Sequence, residues 1–256
     1  MKQTIKLLSW SLLLSCLVFE ARAQEAKSQK FIVHEDVVSP SQIAKYEAIS
    51  SKFAQTMGQH NPDDMSFLAL SLEDNRYIFI SAIDNMAALD NNPMSGIVEK
   101  MGKDAFEDLM SGYDGTFETH KDYVINLDHE LSYNSNAIVM DGVDYRQLDY
   151  YYIEPGKWKE AKQIAKEWTE LHAAKNAPHG YRIYTGGLGT EPMIMVVRWA
   201  KNAAELHANI AENQEAVGES TELGQRTMSV TRKRETFGAT MRPDLSYLPK
   251  TAVAEN

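Results

Sequence analysis

The chain reads as an α+β protein built from one β-α-β-β-α unit written twice, and three observations predict this. The stretch Arg76–Asp90, RYIFISAIDNMAALD, recurs as Met193–His207, MIMVVRWAKNAAELH. In both, an apolar run meets a polar step, and an asparagine (Asn85, Asn202) then opens an apolar helix start. Pro40 and Pro155 each follow a strand-like run and open a helical stripe. Glu130-Leu-Ser-Tyr133 is answered by Asp244-Leu-Ser-Tyr247. The spacing between copies drifts only where loops change length.

The first unit spans residues 31–133. Phe31–Val38 is a strand by its β-branched content. Ser39-Pro40 starts a helix, with serine as cap and proline in the first turn, where its missing N–H costs nothing. Ile43, Tyr46, Ile49, Phe53 and Met57 make one apolar stripe at spacings of three and four. Asn61-Pro62-Asp63-Asp64 ends it. Met65–Leu72 and Arg76–Ile83 are strands joined through Glu73-Asp74-Asn75. Asn85–Asp90 begins a short helix or turn, Asn91-Asn92-Pro93 breaks it, and Gly96–Gly112 is helical. A further helical stretch is expected over Phe117–Leu131.

A linker at Ser135–Val143 leads to the second unit, residues 145–247. Tyr145–Ile153 is a strand. The helix after Pro155 carries Trp158, Ala161, Ile164, Ala165, Trp168 and Leu171 on one stripe. Tyr181–Leu188 and Met193–Ala200 form a hairpin, and Glu212–Phe237 is expected to be the second helical region. Thr185-Gly-Gly-Leu-Gly-Thr190 between the hairpin strands has no Lys-Ser/Thr and opens no helix, so it is a turn and not a phosphate loop.

The N-terminus has the three parts of a secretory signal over residues 1–23: Lys2 and Lys6, an apolar core Ile5–Phe19, then Ala21-Arg22-Ala23 as a small-x-small cleavage site. Export to the periplasm or medium is expected. A rival reading takes Leu13-Leu-Ser-Cys16 as a lipobox that leaves Cys16 lipidated. The apolar run is too short to span a bilayer, and nothing later reaches the ~20 apolar residues a span needs. Cys16 is the single cysteine, so cleavage after Ala23 removes all thiol and disulfide chemistry. The net charge of −10 becomes more negative once Lys2, Lys6, Arg22 and Glu20 leave, which argues against nucleic acid or an anionic membrane surface as partner.

Each unit is a ferredoxin-like arrangement that covers one sheet face with its helices and needs a second copy to cover the other. This order of elements resembles the dimeric α/β-barrel superfamily, in which two such sheets pack as an α/β barrel around a pocket. That group includes antibiotic-biosynthesis-type monooxygenases, NIPSNAP-like proteins and stress-responsive barrel proteins. More distantly it includes haem-binding chlorite dismutases and dye-decolourising peroxidases. The resemblance covers residues 31–247, rests on architecture and carries no signature of one member. It implies an intramolecular pseudo-dimer, as a monomer or assembled further into a homodimer.

Strand parity selects the candidate site residues. Val33, Glu35 and Val37 alternate with Ile32, His34 and Asp36, and Leu148, Tyr150 and Tyr152 alternate with Gln147, Asp149 and Tyr151. With the more apolar sets toward the helices, His34, Asp36, Gln147, Asp149 and Tyr151 face the space between the sheets and line a polar pocket. His34 and Asp149 then meet as a pair across the pseudo-twofold, or these strands lie at edges with the residues in solvent. Arg198, ending its strand, suits a carboxylate or phenolate, or pairs with a surface acid. Thr231-Arg-Lys-Arg234 reads as a solvated helix face.

No histidine pair has the i, i+4 zinc spacing, so no metal site is expected. No cofactor is predicted, although a haem needs only one histidine and spacing does not exclude it. The first functional reading is an exported protein that binds a small, partly apolar ligand between the sheets. The alternatives are a cofactor-independent monooxygenase or isomerase acting on a phenolic or quinol-like substrate with His34 or Asp149 as base, and a structural protein with a filled barrel.

Overall fold

A computed structural model of the protein describes residues 28–135 and 142–250. The signal-like segment 1–23 and the middle of the linker lie outside the described residues. In the first half the elements are β1 (Ser28–Val38), α1 (Ile43–His60), β2 (Leu68–Leu72), β3 (Arg76–Ile83), α2 (Ser95–Met101), α3 (Lys103–Ser111) and β4 (Phe117–Tyr133). In the second they are β5 (Tyr145–Ile153), α4 (Trp158–Ala174), β6 (Tyr181–Gly186), β7 (Met193–Ala200), α5 (Ala203–Val217), α6 (Thr221–Ser229) and β8 (Thr231–Met241).

All eight strands join in one closed antiparallel barrel, in the order β1-β3-β2-β8-β5-β7-β6-β4. Each half contributes its four strands in the same internal order, β4-β1-β3-β2 and β8-β5-β7-β6, the order of a ferredoxin-like sheet. The outer strand of one half pairs with the outer strand of the other: β2 with β8, and β4 with β6. Closure leaves no sheet edge unpaired, and it is achieved within one chain.

The duplication is visible in local chemistry. Asn85 and Asn202 hold nearly the same extended conformation, and each side-chain oxygen accepts from a backbone N–H at the start of the following helical segment, Ala87 and Glu205 respectively. In the first half only a 3-10 turn follows (Met86–Asp90), whereas in the second α5 runs on to Val217.

Two segments differ from the sequence expectation. Phe117–Leu131 lies within strand β4, and the expected helical region Glu212–Phe237 divides into the end of α5, the short α6 and most of β8. Phe117, Val124, Leu127 and Leu131 fit helical spacing as well as they fit a strand. The tie is broken by long-range pairing, because β1 and β5 would otherwise each lack a partner on one side. The unit is therefore β-α-β-β-α-β, with its helical segment subdivided.

The face assignment is reversed. Val33, Ile78, Leu148, Tyr150, Met195 and Ala239 meet in one apolar cluster drawn from both halves, the barrel interior. Glu35 is buried there too, 3.6 Å from the Arg76 guanidinium and accepting from the Tyr123 hydroxyl at 2.9 Å, while Arg76 lies over the Phe237 ring at 4.1 Å. His34, Asp36, Gln147, Asp149 and Tyr151 point outward, under the helices. The reason is the depth of the two faces. The closed barrel is the driest space and takes the more apolar set, whereas the helix layer opens to solvent between its elements. Separate apolar clusters lie beneath the helices of each half, around Met57 and Ile97, around Tyr46 and Val38, and around Ile164 and Ile183.

Candidate functional site

Each half carries a cleft between the outer face of its strands and its helices. The first has a volume of about 1360 Å³ and the second about 570 Å³. Equivalent strand positions supply the polar floor of each. In the first half the register sets His34 opposite Asp122 and Asp36 opposite His120. In the second it sets Asp149 opposite Thr236 and Tyr151 opposite Arg234. Antiparallel pairing brings such i, i+2 side chains from two strands onto one face as a square.

In the first cleft the square closes into a ring of alternating imidazoles and carboxylates. His34 Nδ1 lies 3.0 Å from Asp122 Oδ1 and its Nε2 3.5 Å from Asp36 Oδ2; His120 Nδ1 lies 3.0 Å from Asp36 Oδ1 and its Nε2 3.4 Å from Asp122 Oδ2. The ring centroids of the two histidines are 4.2 Å apart. Asp36 is buried and also accepts a 2.7 Å hydrogen bond from the Tyr46 hydroxyl on α1, itself fully buried. Burial alone would raise the Asp36 carboxyl, but the bonds from His34, Tyr46 and His120 outweigh it and hold it below the ordinary aspartate value. Burial works to lower the His34 imidazole, and its contacts with Asp36 and Asp122 outweigh that and raise it. The walls mix apolar side chains, Phe53, Phe67, Phe79 and Met94 among them, with polar ones such as Asp64, Asp84 and Asn92, and exposed Leu89, Leu188 and Leu248 rim the mouth. Leu188 belongs to the β6–β7 turn of the other half, which crosses β4 through the bond from the Val124 N–H to the Leu188 carbonyl.

In the second cleft the same positions carry a different charge pattern. Asp149 is fully buried and accepts from Thr236 at 2.6 Å, Gln147 at 2.8 Å, Arg198 at 2.6 Å and Arg234 at 3.0 Å. Burial pushes its carboxyl up, and these four donors together bring it below the usual range. Arg234 also lies over the Tyr151 ring at 5.3 Å. Two guanidinium groups against one carboxylate leave this floor with net positive charge.

The structure therefore divides the six sequence-selected residues. His34 and Asp36 share the first cleft; Gln147, Asp149, Tyr151 and Arg198 share the second. His34 and Asp149 do not pair, because they are the same position of the repeat, each serving its own cleft. His34 therefore shares no substrate position with Asp149 and Arg198. Sequence reasoning missed His120, Asp122, Arg234 and Thr236 because β4 and β8 had been read as helix. The available signal was the repeated polar pair one residue apart, His120-x-Asp122 and Arg234-x-Thr236, at matching distances before Glu130-Leu-Ser-Tyr133 and Asp244-Leu-Ser-Tyr247.

No protein-family model matches the chain, and no curated protein matches it. Solved structures do. An anthrone oxidase-like protein superposes with a TM-score of 0.56 at 10% identity, covering 85% of this chain and 92% of that one. A candidate monooxygenase of Fusobacterium nucleatum gives 0.52 at 10% identity, covering 84% and 93%. Another, from Lactobacillus acidophilus, gives 0.50 at 13% identity, covering 87% and 97%. The chain has the dimeric α/β-barrel fold. At such identities the likeness establishes the barrel alone, and the barrel accounts for both clefts lying outside its strands, under the helices.

The haem proteins among the more distant members of this fold group make haem a group to test against these residues. His172, in the second cleft, bonds the Trp168 carbonyl through Nδ1 at 2.8 Å, which leaves Nε2 as the atom an iron would take, and it packs among Tyr133, Trp168 and Tyr181. The acidic ring of the first cleft does not suit the carboxylate-bearing edge of a porphyrin. Among the described residues no helix is long and apolar enough to cross a membrane.

Proposed function

We propose that the protein is exported and binds a small, partly apolar molecule in the cleft of its N-terminal half. The observation that carries this reading is a cleft of about 1360 Å³ with aromatic side chains in its wall, leucines at its rim and a convergent polar cluster at His34, Asp36, His120 and Asp122, with further acids such as Asp64 and Asp84 in the lining. Apolar enclosure with a few convergent polar groups is the usual build of a small-molecule site. The barrel interior is lined by packed side chains of both halves, so this reading puts the ligand beneath the helices and not between the sheets.

The test is calorimetric titration of the purified chain with 1-naphthol, a compact hydroxyaromatic probe. Saturable binding at one molecule per chain is expected, weakened at least tenfold by Ser81→Trp, which puts a bulky ring into the cleft. Absence of saturable binding in the wild-type chain, or equal binding in the plugged variant, would defeat the reading.

A second reading, oxidation of a bound hydroxyaromatic molecule, draws support from the descriptions of the fold neighbours as anthrone oxidase-like and as candidate monooxygenases. It predicts protein-dependent oxygen uptake with anthrone as probe, abolished by the same plug. Uptake no faster than buffer would remove it.

A further inference from the structure

The two clefts descend from one repeat, so each serves as an internal control for the other. Asp149 in the second is buried and neutralised from within the chain by Arg198 and Arg234. At the equivalent strand positions of the first half stand His34, Asp36, His120 and Asp122, and Ser81 stands where the second half has Arg198. Among the described residues, neither Asp36 nor Asp122 has a lysine or arginine in ion-pair contact. Two carboxylates, one of them only 3% exposed, face each other across two imidazoles with no lysine or arginine against them among the described residues. Such a group costs free energy unless positive charge is supplied.

The donor set says what kind of cation would complete it. One donor atom each from His34, Asp36 and His120 lie within 4.8 Å of one another. In a first-row metal site with bonds of about 2.0–2.2 Å, donors sit roughly 3–4 Å apart, a closure that side-chain rotation supplies. The two longer contacts of the ring, 3.5 and 3.4 Å at the Nε2 atoms, are the ones an ion would replace. Tyr46, itself part of the cleft lining, donates to Asp36 Oδ2 and fixes the carboxylate, the outer-sphere support that metal carboxylates require. His34, His120 and Asp122 remain accessible at 39%, 42% and 57% side-chain exposure, leaving an entry path and open positions toward the cleft. Two imidazoles favour transition ions over magnesium or calcium, and two histidines with one carboxylate on one face is a set that leaves coordination positions free.

We infer that His34, Asp36 and His120, with Asp122 completing the ring, bind one divalent first-row transition ion at the polar end of the N-terminal cleft. Helical i, i+4 spacing is absent because the donors come from two neighbouring strands at i, i+2 spacing. The ion would lie against the volume proposed above for an organic ligand, but its binding does not depend on one.

The experiment uses the untagged, chelator-stripped full chain in a non-coordinating neutral buffer. It is titrated with Co(II) and followed by visible absorption and calorimetry. One Co(II) per chain is expected, with intense low-symmetry d–d bands competed away by Zn(II). His120→Ala, whose side chain is 42% exposed, should retain the wild-type circular dichroism and weaken binding at least tenfold. Asp36→Asn should do the same wherever it folds. His179→Ala, at a surface pair with Glu212 remote from the cleft, should bind as wild type. No saturable binding, or affinity unchanged in folded His120→Ala, would overturn the inference. The first outcome would mean that the ring is neutralised by protons, the second that the ion is adventitious. Naphthol binding fails or succeeds separately, so loss of one reading is distinguishable from loss of the other.

Discussion

His34 and Asp149 occupy the same position of the repeated strand and have acquired opposite surroundings. His34 sits 3.0 Å from the Asp122 carboxylate, whereas Asp149 accepts at 2.6 Å from the Arg198 guanidinium. One backbone frame, used twice, thus presents an acidic floor with imidazoles in one cleft and a cationic floor around a buried acid in the other. Each arrangement makes predictions that the other does not.

Asp149→Asn keeps the shape of the second cleft and removes the charge that faces two guanidinium groups. Breaking a fully buried pair costs ~3–5 kcal/mol. Arg198 and Arg234 are 27% and 47% exposed, and solvent screening reduces the expectation to ~2–3 kcal/mol. Urea unfolding measures it, and a midpoint equal to wild type would contradict the assigned role.

The same residue makes a signed pH prediction. The Asp149 carboxyl is depressed in the folded state, so its contribution is complete above the unfolded value of about 4. It is lost as pH falls through the lower folded value. The wild-type chain should therefore lose thermal stability more steeply below pH ~4 than Asp149→Asn does. Parallel acid limbs of the two profiles would count against it.

Inside the barrel, Glu35 and Arg76 form a pair whose members tolerate joint removal better than single removal. Glu35→Leu leaves Arg76 with the partly exposed Asp74, 2.9 Å away, as its remaining acid and should cost on the order of 2 kcal/mol. Adding Arg76→Met should recover much of that loss, since two apolar residues of similar volume suit the surrounding cluster. A double-mutant cycle by chemical denaturation reads the coupling, and strict additivity would show that the two side chains do not interact.

Asn202→Ala should cost ~1 kcal/mol by freeing the first turn of α5, whose Glu205 N–H it accepts. Asn85→Ala caps only a 3-10 turn and should cost less. Equal losses would mean that helix length plays no part in the difference.

The division between what was legible in the chain and what was not follows specific residues. β1, α1, the β2–β3 hairpin and their copies announce themselves through local periodicity and turn chemistry. His34, Asp36, Asp149 and Tyr151 emerge from strand alternation as one polar set, though assigned to the face between the sheets, and Arg198 from its place at the end of its strand. His120 and Asp122 do not, because Phe117–Leu131 satisfies two periodicities and only pairing with β1 chooses between them.

By itself the sequence determined that a half-sized unit is repeated, that each copy is a helix-covered sheet, and that one polar side chain per strand turn is set apart from its neighbours. These are consequences of local spacing, since side-chain direction alternates along any strand. Tertiary structure alone decided which side of the sheet is driest. It also decided that the fourth strand of each half completes the barrel, and that equivalent positions face separate clefts. Alternation distinguishes two faces without ranking them. The ranking comes from closure of eight strands around one interior, which excludes water more completely than a layer of helices does, and so the polar set was left beneath the helices.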